Sequence, residues 1–106
     1  MIKNINKTII TKLFFIKDGL LVINQPNEDK IYIGDKDSNL VANLNIHSQN
    51  LFKRIMKSGA IGFSEAYINS EISSPDISKV IFLFSLNRRH NTNIIYGKKI
   101  YNYWNY

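Results

Sequence analysis

The chain has no cysteine, so neither a disulfide nor a thiolate site is open to it. No apolar run comes near the ~20 residues that a membrane-spanning helix needs. Residues 1–17 hold no acid, and Lys3, Lys7, Lys12 and Lys17 break up their apolar residues every few positions. That interruption is incompatible with the continuous apolar centre of a signal peptide. Only two histidines occur, and His47 and His90 stand too far apart to make a metal pair by spacing. The expected address is the cytoplasm, or peripherally the inner face of a membrane.

A chain of 106 residues is long enough for one domain with a modest core. Its 44% hydrophobic content argues for a folded globule and against disorder. The net charge of +6 points towards nucleic acid or an anionic membrane. However, isoleucine, asparagine and lysine together supply 43 residues, so a compositional bias inflates lysine. Where the charge sits is therefore more informative than its total. Residues 18–37 hold five acids against Lys30 and Lys36. Lys53, Arg54 and Lys57 cluster further on, and Arg88, Arg89, Lys98 and Lys99 crowd the end.

Ile2, Ile5, Ile9, Leu13 and Ile16 fall three and four apart, which predicts one helix with an apolar face. Lys3, Lys7 and Lys17 share another face of that helix. It either packs on a core or lies in a lipid interface with its lysines towards anionic headgroups. Leu20 to Asn24 and Lys30 to Ile33, around a polar loop at Pro26–Asp29, predict a hairpin. Leu40 to His47 alternates, with Leu40, Ala42, Leu44 and Ile46 on one face, and predicts a half-exposed strand. Ser48 is a good N-cap for a helix that buries Leu51, Phe52, Ile55 and Met56 and ends at Gly59. Lys53, Arg54 and Lys57 lie on its wet side, as a solvated face or a phosphate contact.

Gly59–Ile77 organises the rest. Gly59 closes one helix. Gly62 to Asn69 forms a short element that buries Phe63, Ala66 and Tyr67. Glu71 to Ser73 makes a last edge strand. Ser74, Pro75 and Asp76 open another helix with a capping hydroxyl, a proline in the first turn and a carboxylate near the positive end. That helix carries Ile77, Val80, Ile81, Phe84 and Leu86, with Phe82 and Leu83 widening its apolar arc. A helix apolar on most sides needs cover on most sides, from the tail, a second chain or a lipid. The tail, His90 to Tyr106, holds Tyr96, Tyr101, Tyr103, Trp104 and Tyr106.

Gly59, Gly62, Glu65-Ala66-Tyr67, Ile68, Asn69-Ser70 and Asp76-Ile77 also carry a resemblance. They resemble the signature of the small N-terminal domain that precedes the catalytic domain in cyclopropane-fatty-acid synthases, which are S-adenosylmethionine-dependent methyltransferases. The similarity extends more loosely from Lys12 to Asn87. Ser70 stands where the family usually has glycine, and Ile72 where it often has tryptophan. A positive φ in that turn would fall to Asn69. The order of elements resembles, in addition, the sterol-carrier type of lipid-binding domain, in which a small sheet and its helices enclose an apolar tunnel.

Order and patterning imply an α+β fold, a small mostly antiparallel sheet with three to four helices, sterol-carrier-like. Residues 1–87 would form a lipid-binding-like accessory domain and residues 88–106 a basic, aromatic tail. The family's catalytic machinery has no counterpart here. Gly59 and Gly62 follow a helix and make no cofactor loop, and the family's His-Tyr-Asp triplet is absent. Neither catalytic nor metal-binding residues nor a cofactor is therefore expected. The resemblance implies a non-catalytic domain or subunit that binds a phospholipid or its acyl chain for a methyltransferase partner, peripherally at the membrane, as a single chain or a homodimer. The expected lipid or partner contacts are Phe63, Glu65, Tyr67, Phe82 and Phe84. The expected membrane or phosphate contacts are Lys3, Lys7, Lys53, Arg54, Lys57, Arg88 and Arg89. Glu65 and Tyr67 have a plainer reading, as a turn carboxylate and a core tyrosine. Two other functions stay open. One is a free-standing lipid carrier. The other is a small nucleic-acid binder, disfavoured because basic and aromatic residues are not interleaved on one strand face.

Overall fold

The computed structural model describes residues 4–91. Among them the order is α1 (Lys7–Leu13), β1 (Leu20–Asn24), β2 (Ile31–Gly34), β3 (Val41–Ile46), α2 (Asn50–Ile68), β4 (Ile72–Ser73) and α3 (Ile77–Leu86), then a 3-10 turn at Arg88–His90. The class is α+β. Lys3 and the tail aromatics lie outside the described residues.

The strands form one sheet in the order β2-β1-β3-β4. The expected hairpin is present, with Leu20 opposite Gly34 and Ile23 opposite Ile31. β3 and β4 are also antiparallel, but β1 and β3 run parallel, so the sheet is mixed. Parallel neighbours usually need a long crossover. Here residues 35–40 pass the start of β1 instead. The amide of Asp35 donates to the carbonyl of Gly19 and that of Leu20 to Leu40, each at 2.9 Å. β1 is buried from Leu20 to Ile23, as a central strand must be. β3 alternates as expected, with Ala42, Leu44 and Ile46 inward.

The first helix is shorter than its periodicity predicts, seven residues from Lys7 to Leu13. Asn6 caps it by accepting from the Thr8 amide, and Phe14 is already extended. From there burial alternates: Phe14 and Ile16 point in, Phe15 and Lys17 out. Ile9, expected on the inner face, is exposed, and Ile10 is buried in its place. Ile9, Ile10 and Thr11 are β-branched and hold a helix weakly.

α2 runs through Gly59 to Ile68 rather than ending there, but it breaks sharply at that glycine, whose φ is 55° and ψ −127°. No side chain with a Cβ adopts that backbone comfortably. Gly62 then packs against the carbonyl of Arg54, where a Cβ would overlap the oxygen. The two arms, 50–58 and 60–68, thus fold onto each other because two glycines permit it. The second arm buries Gly62, Phe63 and Ala66. Tyr67, expected in the core, is 44% exposed. It follows buried Phe63 by four residues but stands in the last turn of the arm, which ends at Ile68, where the packed face gives out.

α3 begins two residues later than Ser74 suggests. Asp76 is the N-cap and accepts from the Lys79 amide at 3.2 Å, while Ser74 Oγ accepts from the Asp76 amide at 3.1 Å. α3 packs on β3 and β1 through Val80, Leu83 and Phe84. Its end is tied down by two buried asparagines. Asn87 Oδ1 accepts from the amides of Lys17 and Asp18 at 2.9 and 3.0 Å, and its Nδ2 donates to the Asp18 carbonyl at 2.9 Å. Asn91 pairs with Phe15 in the same way, accepting at 2.9 Å and donating at 2.7 Å. Each amide takes the place of a peptide group, and a buried amide so satisfied carries no desolvation penalty.

Candidate functional site

The second arm of α2 and α3 diverge enough to leave an open groove of about 330 Å³. Ala60, Phe63 and Ser64 form one wall, and Ile81, Phe84, Ser85 and Arg88 the other. Its floor belongs to the core. Phe84 stacks on Phe14 with ring centroids 5.5 Å apart, and Phe63 meets Phe84 edge-on at 5.4 Å. Two of the five expected lipid contacts, Phe63 and Phe84, therefore meet in one place. They are fixed by aromatic packing before any ligand arrives.

The other three do not join them. Phe82 is 56% exposed on the outer side of α3, beside exposed Ile81 and Leu86. These three apolar side chains on one helix are uncovered among the described residues. Tyr67 is outside the groove lining, and so is Ile68, which is 78% exposed. Glu65 faces the other side of its helix, with its carboxylate 3.9 Å from Arg54.

The expected phosphate contacts divide into separate clusters. Lys7 is exposed beside Glu28, Asp29 and Lys30, in a cleft that holds acid as well as base. Lys53, Arg54 and Lys57 line a second cleft, in the crook of α2, with Asn50, Ser58 and Glu65. Arg54 is not available there as a free cation. Its Nε donates to Glu71 Oε1 at 2.6 Å and its Nη2 to Oε2 at 2.9 Å, a two-pronged pair. The Glu71 carboxyl is held below the usual glutamate range, mainly by those hydrogen bonds to Arg54. The pair holds the first arm of α2 to the turn ahead of β4.

Arg88 and Arg89 occupy a third cleft, of about 340 Å³, with Lys17, Asp18, Leu86 and His90. Lys17 and His90 were not singled out as contacts by sequence. They reach this place because Asn87 and Asn91 bind the segment after α1 to the end of α3. His90 is steadied by the Phe15 ring, 4.9 Å away between centroids.

His47 Nε2 lies 2.7 Å from Ser73 Oγ, at the sheet edge, and Asn45 Nδ2 donates to the same hydroxyl at 3.2 Å. No carboxylate among the described residues hydrogen-bonds the imidazole, so the pair lacks the third group that orients a base. Among the described residues no three His, Cys, Asp or Glu side chains gather to hold a metal. No helix among them is long and apolar enough to cross a membrane.

Comparison with models of known protein families, with curated proteins and with solved structures returns no match.

Proposed function

We propose that this chain is a non-catalytic accessory domain that holds the acyl chain of a phospholipid for a cyclopropane-synthase-like methyltransferase, as a separate subunit or as part of a longer chain. The observation that carries the proposal is the groove between α2 and α3. It is floored by aromatic rings, walled in part by exposed Ile81, and lined by one cation, Arg88. An acyl chain leaving a bilayer loses about 0.8 kcal/mol per methylene unless another apolar surface replaces the lipid. A groove of this kind supplies that surface.

Ser70 supports the family resemblance. Its φ is +59°, left-handed backbone at the position where the family usually has glycine. Asn69, the expected alternative, has φ −87°. The turn therefore takes the form that glycine favours, although the side chain here is serine.

The test is co-sedimentation with phospholipid vesicles, using Ser64→Asp with Ile81→Asp, one residue from each wall of the groove. Both residues are exposed, so the fold should survive the changes. The wild type should sediment with vesicles and the double variant should stay in solution. Equal sedimentation of the two would remove the groove from any role in lipid binding. Capture of a methyltransferase by the wild type would separate an accessory subunit from a free lipid carrier.

A further inference from the structure

The groove and the Arg88 cleft share one residue. Arg88 lines both, with the apolar groove on one side and Lys17, Arg89 and His90 on the other. We infer that the second cleft is a phosphate site, which seats the headgroup of an anionic phospholipid whose tail lies in the groove. The inference rests on the acyl-chain proposal and adds the class of headgroup.

The charges favour an anion. Lys17, Arg88 and Arg89 are permanent cations near neutral pH, and Asp18 is the one acid in the lining. Cations at the end of a helix also complement its dipole, and Arg88 Nη1 does donate to the Ser85 carbonyl at 3.1 Å. The dipole accounts for cations on α3 itself. It does not account for Lys17, which arrives from another element. Nor does it account for the position of Arg88, between this cleft and an apolar groove.

The cleft is also built before a ligand comes. The backbone of Lys17 and Asp18 is fixed by Asn87, which is 2% exposed. The amide of His90 donates to the Asn87 carbonyl at 3.0 Å, which sets the 3-10 turn that presents Arg88 and Arg89. A fixed backbone under these three cations lowers the ordering cost of binding an anion, although their side chains still have to settle. The crook of α2 is the natural contrast. Its Lys53 and Lys57 share their cleft with Glu65, and its arginine is already paired.

The test uses the full chain and two kinds of vesicle, phosphatidylcholine alone and an equal mixture of phosphatidylcholine and phosphatidylglycerol. The wild type should bind the mixed vesicles more tightly. Lys17→Gln with Arg89→Gln should weaken that binding about five-fold for each charge removed and leave binding to phosphatidylcholine unchanged. Lys53→Gln with Lys57→Gln should change neither. Equal loss from both pairs would mean diffuse attraction and overturn the site. Equal wild-type binding to both vesicles would overturn the headgroup assignment and leave the acyl groove standing. Binding to neither would overturn both. Inorganic phosphate should compete with the mixed vesicles better than chloride at equal ionic strength; no difference between the two would mean screening alone and overturn the phosphate site, and phosphate binding without vesicle binding would reassign the cleft to the free ion.

Discussion

Arg54 and Arg88 each line a basic cleft, yet their surroundings differ. Arg54 sits in a crook where the fold also brings Glu65 and Glu71, and its guanidinium is held by the two hydrogen bonds it donates to Glu71. Arg88 sits where the fold brings Lys17, Arg89 and His90, with one acid, and it borders an apolar groove. The same side chain is a structural tie in one place and a candidate ligand contact in the other. Composition does not separate the two cases. The acids that the fold places within reach do.

The largest expected effect is at Gly62. A methyl there would overlap the Arg54 carbonyl, so Gly62→Ala should force the arms of α2 apart and cost about 3 kcal/mol in denaturant unfolding. A change under 0.5 kcal/mol would mean that the crook is not tightly closed. Next is the tie itself. Arg54→Met leaves the Glu71 carboxylate, whose side chain is 15% exposed, without its partner. Stability should fall measurably in denaturant unfolding, by less than for Gly62→Ala, with vesicle binding unchanged. Arg89→Gln should do the reverse, weakening binding to anionic vesicles while stability moves by less than about 0.5 kcal/mol. If both variants changed stability equally, the contrast between the clefts would fail.

The same pair predicts an acid response. Glu71 has a lower pKa folded than unfolded, so its contribution is complete above the ordinary glutamate range. It is lost as pH falls from that range through the folded value. Arg54→Met should flatten this limb of the stability curve. An unchanged limb would assign the acid sensitivity elsewhere. The smallest effect is at Ser70, where Ser70→Gly relieves a left-handed backbone and gives back part of the gain as unfolded-state freedom. The net should be about 0.5 kcal/mol of stabilisation, and a loss would show that the serine side chain contributes more than its strain.

β3 was legible from its two-residue alternation, and β1 and β2 from short apolar, β-branched runs on either side of a polar turn. Leu40–Ile46 and the hairpin around Pro26–Asp29 needed no tertiary knowledge. α1 misled because 18 isoleucines produce three- and four-residue spacings by abundance alone. Beyond Leu13 the chain buries alternate residues instead, and packing on the core decides that. The groove was half legible. The wide apolar arc of α3 announced that something must cover it, but which wall faces it depends on the break at Gly59. Asn87 and Asn91 were hidden among 14 asparagines. Their role comes from partners some 70 positions away, at Lys17, Asp18 and Phe15. Arg54 was hidden for the same reason, since its partner lies 17 positions on.

Spin-labelled phosphatidylglycerol offers the most direct measurement, read as amide broadening in the nuclear magnetic resonance spectrum. A label at the headgroup should broaden Lys17, Asp18 and Arg88–His90, and a label at the end of the acyl chain should broaden Ala60–Ser64 and Ile81. Uniform broadening from both labels, or the reverse pattern, would contradict a lipid lying in the groove with its phosphate beside Arg88.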